Sequence, residues 1–383
     1  MKILFASDCY RFQTGGITTV ITTLEKGLRA RGHEVKVLAL SDGFRSFQDG
    51  DSVFIGGYKY IFVPEQRRSF ARHTKPLREL AAWKPDIIHA HTEASTAGMA
   101  RAIAKASGAP LIMTSHSDFG YYIFGPRKDS RIVRSIFNLW GKHAYRGLET
   151  IIVPSEKSRS FSHLQPVADR LTVIPNGIDP APYRQSLAPE EKADLFRRCG
   201  LKETGFTLVT VSRMRWEKNV MELIRFMPAL RQKVPEAQLL LVGEGENRKE
   251  MEAWCESHGL SDCTCFTGRV PPEEVWRYLA MSDLYVSASL FEVHSMSLLE
   301  ALAAGLPLVC REDPALIGVL ENGENGFLYH NEQEYTEAVS KIAGDPALRE
   351  AMHEKALLFS EKFTEDRFTE NILALYEKII QAR

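Results

Sequence analysis

The first half of the chain alternates short apolar runs with stretches in which apolar residues recur every three or four positions. Apolar runs of this length predict buried strands, and the longer period predicts amphipathic helices. The predicted strands are residues 3–6, 34–40, 60–63, 86–90, 110–115 and 150–153, and the predicted helices are residues 17–31, 70–83, 94–106 and 132–145. Strands that alternate with helices predict a parallel sheet covered on both faces.

A second alternation of the same kind occupies the rest of the chain. Its predicted strands are residues 207–212, 238–242, 263–267, 284–287 and 308–310. Three prolines and mixed charge between residues 180 and 205 predict an interdomain linker, and residues 363–383 have the pattern of an amphipathic helix. We therefore expect an α/β protein with two doubly wound Rossmann-like domains, residues 1–180 and 181–362, facing across a cleft and followed by a C-terminal helix.

Length, cysteines and charge refine this picture. A chain of 383 residues exceeds the usual size of a single core. Its six cysteines lack the spacing of a disulfide framework, so we expect a reducing cytoplasm. Residues 1–180 carry 25 Lys and Arg against 16 Asp and Glu, whereas the remainder carries 23 against 33. The basic first half predicts contact with an anionic surface or substrate, and the lack of a recognised nucleic-acid module disfavours nucleic acid.

Two carboxylates, Glu292 and Glu300, flank the start of a predicted helix that follows a buried strand. Ser295 or Ser297 can cap this helix, and the free N–H groups of the turn, which includes Met296, would form a cradle for an anion. One carboxylate can bind hydroxyls at the reacting end of a ligand, and the other can bind hydroxyls farther along. A nucleotide sugar fits, because its phosphates lie between two hydroxylated rings. The alternative is that both carboxylates only stabilise the helix.

Further candidates for donor binding follow other predicted strands. Arg213 and Lys218 can converge on a diphosphate, the first through bidentate hydrogen bonds from its guanidinium and the second through the point charge of its ammonium group. Gly243 lies in a glycine turn after the next strand, and the backbone at Arg269 and Val270 could read the flat edge of a base. The alternative for the cations is a solvated charged loop.

The first half adds a glycine pair and several histidines. Gly16 lies at the entry to a helix, where it can approach a phosphate, but its spacing is not that of dinucleotide-binding proteins and disfavours a dehydrogenase. His116 follows a strand, where it could exchange a proton with a sugar hydroxyl or the incoming acceptor, and a structural histidine is the alternative. His89 and His91 would share one face of a strand, but a third metal ligand is not evident, so we favour polar packing or cleft lining over a metal pair. We interpret the Asp-Gly-Asp triplet at residues 49–51 as a turn and not as a site for a divalent cation, so no metal is expected. No cofactor is expected either.

This combination of motifs resembles the retaining GT-B glycosyltransferases, the branch that contains bacterial lipid and polysaccharide glycosyltransferases, over essentially the whole chain. The resemblance implies a nucleotide-sugar donor bound mainly by the second domain and an acceptor bound by the first. It also implies that the helix at residues 363–383 crosses back to the first domain. Glu292 and Glu300 match the paired acidic motif of the family, the first near the donor sugar and the second at the ribose.

The resemblance also assigns the remaining roles. Arg213 and Lys218 match the pair that neutralises the diphosphate, Gly16 matches the glycine loop near the phosphates, and His116 matches the histidine regarded as catalytic. It implies transfer of a hexose with retention of the anomeric configuration and without a metal, from a donor that is UDP-linked by family frequency. A nucleotide-sugar epimerase of the same fold, a transferase acting on a polysaccharide or a small molecule, and a binding protein without turnover are the competing hypotheses.

Two loops depart from the family pattern. Val293 and His294 follow Glu292, where many members have a glycine, and residues 311–314 replace a common pair of glycines. Val293 is ill suited to a positive φ, so either its turn differs from that of glycine-bearing relatives or the glycine there is dispensable. Because both loops contact the donor sugar in relatives, the identity of the sugar is not predicted.

Two basic amphipathic stretches, residues 66–78 and 125–140, bear on the acceptor. In the second stretch, the residues expected to face lipid are Ile132, Ile136, Phe137 and Trp140, and the cations expected at anionic headgroups are Arg127, Arg131 and Arg134. An ordinary surface helix is the alternative. Together with a resemblance to diacylglycerol glucosyltransferases, these stretches predict a lipid or glycan acceptor and a cytoplasmic enzyme in peripheral contact with the inner face of the membrane.

Overall fold

The computed structural model describes residues 1–12, 15–60, 63–118, 121 and 130–383. The chain divides into two compact units. Unit 1 comprises residues 1–177 together with 365–383, and unit 2 comprises residues 178–364.

The helices and strands of the described residues are numbered in chain order. The helices are α1 (Gly16–Ala30), α2 (Lys75–Ala82), α3 (Ser95–Ser107), α4 (Arg131–Ala144), α5 (Pro189–Cys199), α6 (Val220–Lys233), α7 (Arg248–Ser257), α8 (Val275–Ala280), α9 (Met296–Ala303), α10 (Glu332–Gly344), α11 (Pro346–Ser360) and α12 (Glu365–Gln381). The strands are β1 (Lys2–Ser7), β2 (Glu34–Leu40), β3 (Phe47–Asp49), β4 (Ser52–Ile55), β5 (Tyr58–Tyr60), β6 (Val63–Arg68), β7 (Ile87–Ala90), β8 (Leu111–Thr114), β9 (Ile151–Val153), β10 (Leu171–Val173), β11 (Phe206–Val211), β12 (Ala237–Val242), β13 (Thr264–Gly268), β14 (Leu284–Ser287), β15 (Leu308–Arg311) and β16 (Gly326–Tyr329).

Unit 1 is built on a mainly parallel sheet. Among its described residues, the strands pair in the order β10-β9-β8-β7-β1-β2-β4-β3, and β3 alone runs antiparallel to its neighbour. β1 lies between β2 and β7, so the chain winds away from it in both directions. Such a reversal of strand order leaves a crevice at the carboxyl ends of the strands, where ligands bind in open α/β sheets. The loops that follow β1, β7 and β8 meet at this edge.

Helix α12 returns to unit 1 and packs against α1. Lys26 Nζ lies 3.1 Å from Glu365 Oε1, and a terminal nitrogen of Arg31 lies 2.8 Å from Asp366 Oδ1. A Cβ atom at Gly27 would collide with the side chain of Thr369, so the close approach of the two helices requires the glycine. The helix is therefore an integral part of unit 1.

Unit 2 is a second doubly wound domain, and all of its residues are described. Within residues 178–364, six parallel strands pair in the order β13-β12-β11-β14-β15-β16. Leu240 of β12 packs into the core on one face of the sheet, whereas its neighbours Leu239 and Leu241 pack into the core on the other. Strand order reverses between β11 and β14, which brings the loops after these two strands together at the carboxyl edge.

The predicted fold class is confirmed in both units, but two local predictions are wrong and some elements were missed. Of the predicted strand at residues 60–63, Tyr60 and Val63 belong to the antiparallel pair β5 and β6, outside the large sheet, whereas residues 61–62 lie outside the described residues. The predicted linker at residues 180–205 is folded, since Leu195 and Phe196 of α5 are 3% exposed and belong to the core of unit 2. The hairpin β3–β4 and strand β16 were not predicted.

Candidate active site

The loop after β11 carries two of the predicted cations. Residues 216–218 form a single 3-10 turn before α6, and Met214, which is 1% exposed, anchors the loop in the core. The carbonyl oxygen of Glu217 accepts hydrogen bonds from Leu290 N at 2.9 Å and from Ser289 Oγ at 3.3 Å. These bonds fasten the loop after β11 to the loop after β14.

Lys218 and Glu292 form a close ion pair across these two loops. Lys218 Nζ donates to Glu292 Oε1 at 2.6 Å, and the two side chains are 21% and 11% exposed. Arg213 lies in the same loop as Lys218 and is exposed. The structure thus places a cation, a carboxylate and an exposed guanidinium along adjoining loops at the carboxyl edge of unit 2.

Glu300 lies within α9, where burial raises the pKa of its carboxyl group to about 7 and a hydrogen bond from the Tyr183 hydroxyl acts in the opposite direction. Ser295 occupies the predicted cap position of this helix. Among the described residues, however, the Ser295 hydroxyl meets Ser297 Oγ at 3.1 Å rather than a helix amide, and Tyr285 donates to Ser297 Oγ at 2.9 Å. The predicted hydroxyl cap is therefore wrong. Met296 begins the helix as its first residue.

Backbone contacts join the ends of β12 and β13. Gly243 N donates to Gly268 O at 3.1 Å, and Gly243 has a φ of 140°. A Cβ atom at Gly243 would collide with the carbonyl oxygen of Ser212, so this position brings the chain close to the loop after β11. Arg269 is exposed and Val270 packs against the core of unit 2. Base recognition by these residues stays a prediction.

In unit 1, His116 belongs to a group of neighbouring imidazoles. His91 Nδ1 and His116 Nε2 lie 3.3 Å apart, and their rings stack with centroids 5.6 Å apart. His89 is hydrogen-bonded through Nδ1 to the Tyr376 hydroxyl and through Nε2 to Thr114 Oγ1, each at 2.7 Å. Burial lowers the pKa of His116 to about 4, so this imidazole is neutral at pH 7 and can accept a hydrogen bond. The predicted polar packing of His89 is confirmed.

Gly16 is the first residue of α1 and is exposed. It therefore lies at a helix start, as predicted, on an accessible part of unit 1. The two residues preceding the glycine pair, 13 and 14, lie outside the described residues. A phosphate contact by Gly16 stays a prediction.

Sequence reasoning missed Glu93, which is half-buried in the loop after β7. Its Oε1 accepts from Ser115 Oγ at 2.7 Å and from the Tyr145 hydroxyl at 3.1 Å. Burial raises the pKa of Glu93 to about 7. A carboxylate three residues after a strand end was the available signal, since side chains at that edge converge on ligand sites.

The described residues contain no group of three or more His, Cys, Asp or Glu side chains that could hold a metal ion. The triplet at residues 49–51 is the turn of the β3–β4 hairpin, as interpreted from the sequence. Asp49 pairs with Arg11 at 2.8 Å and Asp51 pairs with Arg29 at 3.0 Å.

Two family models divide the chain between them. The model described as Glycosyltransferase Family 4 matches residues 14–182, and the model described as Glycosyl transferases group 1 matches residues 191–358. The chain is a GT-B glycosyltransferase. The group 1 model covers β11 to β16, so Lys218, Glu292 and Glu300 all lie within the part of this glycosyltransferase that it matches.

Two curated relatives and one solved structure are similar to this chain over most of its length. The enzyme is 25% identical to the alpha-monoglucosyldiacylglycerol synthase of Acholeplasma laidlawii, over 99% of this chain and 98% of the relative. It is 27% identical to the enzyme of the same name from Streptococcus pneumoniae, over 88% and 77%. The crystal structure of Anabaena HepE in complex with UDP and glucose superposes with a TM-score of 0.77 at 21% identity, covering 99% and 100% of the two chains.

Proposed function

We propose that this glycosyltransferase moves a hexose from a UDP-linked sugar to a hydroxyl group of a membrane lipid such as diacylglycerol. The anomeric configuration is retained, and no metal takes part. The observation that carries the proposal is the 2.6 Å contact between Lys218 and Glu292 at the switch point of unit 2. It combines the cation that a departing diphosphate needs with a carboxylate suited to sugar hydroxyls.

The nucleotide end of the donor is assigned to the same edge of unit 2. Glu300 binds the ribose hydroxyls, and the backbone at Arg269 and Val270 meets the base. UDP is supported by HepE, which shares the fold and was crystallised with UDP and glucose. Diacylglycerol is supported by the two relatives that are named as monoglucosyldiacylglycerol synthases.

In the proposed reaction, the acceptor hydroxyl attacks the anomeric carbon on the face from which the diphosphate departs. Lys218 and Arg213 neutralise the charge that develops on the diphosphate, which stabilises the transition state more than the ground state. Glu292 binds hydroxyls of the sugar. His116 is assigned to the acceptor hydroxyl, where its neutral imidazole can accept a hydrogen bond.

The enzyme reaction itself tests the proposal. We expect the release of UDP from UDP-glucose to depend on added diacylglycerol and to persist in the presence of EDTA. NMR of the glycosylated product should show an α-linkage. UDP at a hundredfold excess over its Kd should stabilise the enzyme by about 2.7 kcal/mol in a thermal-shift experiment. Release of a free epimer from donor alone would instead support the epimerase hypothesis.

Helix α4 supports a lipid acceptor. Ile132, Ile136 and Leu139 are 75%, 57% and 72% exposed, and they lie one helical turn apart on one stripe. The sequence-based assignment of the lipid-facing residues needs correction, because Phe137 is 7% exposed and Trp140 is half-buried against it, with ring centroids 6.1 Å apart. Within the described part of the chain, none of the helices combines the length and apolarity needed to cross a membrane.

Arg131 and Arg134 are exposed on the same helix, whereas Arg127 and the rest of residues 125–129 lie outside the described residues. We expect the double variant Arg131→Glu/Arg134→Glu to bind anionic vesicles at least tenfold more weakly than the wild-type enzyme, because each basic side chain near such a surface contributes about 1 kcal/mol. Flotation with phosphatidylglycerol-containing and neutral vesicles measures this effect.

The matched control is Lys105→Glu/Lys249→Glu, which changes the net charge equally at two exposed positions outside α4. It should float like the wild-type enzyme. Equal losses in both double variants would mean that overall charge, not α4, governs membrane binding.

A further inference from the structure

A second, partly buried ion pair lies at the carboxyl edge of unit 2. Arg311, the last residue of β15, donates from Nε to Glu222 Oε1 at 2.9 Å and from a terminal nitrogen to Glu222 Oε2 at 2.7 Å. The Tyr329 hydroxyl, at the end of β16, donates to Glu222 Oε1 at 3.0 Å. The two charged side chains are only 27% and 15% exposed. The fork and the hydroxyl together fix the orientation of the Glu222 carboxylate.

Glu222 passes this orientation on to the turn that carries Lys218. Its Oε2 accepts a hydrogen bond from Asn219 Nδ2 at 2.9 Å. Asn219 directly follows Lys218 and has a φ of 50°, in the left-handed region that side chains disfavour. Its backbone N–H closes the turn on the carbonyl of Trp216 at 3.2 Å. The side-chain bond to Glu222 therefore holds Asn219 in the conformation that sets the direction of Lys218.

The geometry points to Arg311 as a positioning residue for Lys218, acting through Glu222 and Asn219. The inference rests on the proposed function, because it takes Lys218 as the residue that binds the donor diphosphate. Arg311 ends β15 and begins the segment 311–314, which stands where a pair of glycines is common in the family, so in this enzyme an arginine side chain at this strand end holds the lysine turn. Loss of the guanidinium leaves Tyr329 to orient the Glu222 carboxylate without the two bonds from Arg311, which loosens the contact between Glu222 and the Asn219 amide.

A direct contact between Arg311 and the donor is the competing explanation, and a double variant separates the two. Arg311→Met alone leaves the Glu222 carboxylate without its main partner. In Glu222→Gln/Arg311→Met, no charge is left unpaired. The side-chain oxygen of the glutamine can take the place of Oε2 and accept from Asn219, and its NH2 group can donate to the Tyr329 hydroxyl oxygen. The double variant restores donor binding if Arg311 acts through Glu222, but not if Arg311 touches the donor.

The experiment measures the Kd for UDP by calorimetry, the melting temperature, and kcat and KM for UDP-glucose. We expect Arg311→Met to weaken UDP binding about tenfold, which is the effect of losing roughly one charge-assisted hydrogen bond. The double variant should recover to within about threefold of the wild-type Kd. Arg231→Met, which breaks the Arg231–Asp262 pair at the other end of α6, is the matched control and should bind UDP normally.

Asn219→Gly gives an independent test that does not disturb the ion pair. Glycine adopts the observed φ readily, so the variant should fold and melt like the wild-type enzyme while binding UDP more weakly. Wild-type affinity in Arg311→Met or in Asn219→Gly, or a double variant as weak as Arg311→Met, would overturn the inference and leave the proposed function intact. A wild-type enzyme that bound no UDP would instead remove the proposed function, and this inference with it.

Discussion

Substituting Lys218 by alanine, or Glu292 by glutamine, is expected to lower kcat/KM for sugar transfer by about 10²- to 10³-fold, as removal of one preorganised electrostatic group does in other enzymes. Lys218→Ala removes the ammonium group that would hold the departing diphosphate. Glu292→Gln removes the carboxylate that lies 2.6 Å from that ammonium and would bind the sugar. Initial rates of UDP release with diacylglycerol measure both effects.

Folding must be separated from chemistry in these variants. Each substitution leaves one partner of a partly buried pair without its counter-charge, so a lower melting temperature is expected but not unfolding. The double variant Lys218→Ala/Glu292→Gln should regain stability without regaining activity. Lys249→Ala and Glu250→Gln, at exposed positions of α7, are the matched controls. Near-wild-type rates in either single variant would remove the roles assigned to this pair.

Substituting Glu300 by glutamine is expected to stabilise the free enzyme at pH 8 while weakening its binding of UDP about tenfold or more. Burial raises the pKa of Glu300 to about 7 from an ordinary value of 4.5, so the folded state holds the proton more tightly than the unfolded state does. Stability from this group is therefore greatest below pH 4.5 and falls as the pH rises towards 7. At pH 8, ionisation of the buried Glu300 carboxyl lowers the free energy of unfolding by about 3 kcal/mol relative to low pH, and glutamine removes this cost.

The loss of binding follows from the chemistry of the side chain. A carboxylate can accept hydrogen bonds from two ribose hydroxyls, whereas an amide offers a single oxygen. Denaturant unfolding at pH 5 and pH 8, together with calorimetry of UDP binding, measures both effects. Glu250→Gln, at an exposed position, should change neither. A Glu300→Gln enzyme with wild-type stability at pH 8 would show that this carboxylate is ionised at no cost.

The convergence of Lys218 and Glu292 could be predicted from the sequence because it depends on topology alone. Both follow apolar runs that were recognised as parallel strands, and the carboxyl ends of such strands share one edge of a sheet. The bidentate ion pair between Arg311 and Glu222 could not be predicted in this way. It requires the register of β15 and the rotation of α6, which depend on the packing of many side chains at once.

The sequence-based errors have local physical causes. Proline at residue 189 was taken as a sign of a linker, but it occupies the first turn of α5, where its missing N–H costs nothing. On α4 the apolar residues form two stripes, and periodicity alone does not say which is buried. The structure buries the stripe through Phe137 and Gly141, where a Cβ would collide with the carbonyl of His163. The stripe through Ile132 and Ile136 stays exposed.

The route of the chain through unit 1 bears on the order in which a nascent polypeptide can fold. The chain leaves this unit at residue 177 and rejoins it at residue 365. Tyr376, the partner of His89, therefore emerges from the ribosome only after the whole of unit 2 has been made. All strands of unit 2 are synthesised before the last helix of unit 1, so unit 2 can fold during translation. A chain terminated after residue 364 would therefore contain a complete unit 2, whereas unit 1, although synthesised first, would lack its C-terminal helix.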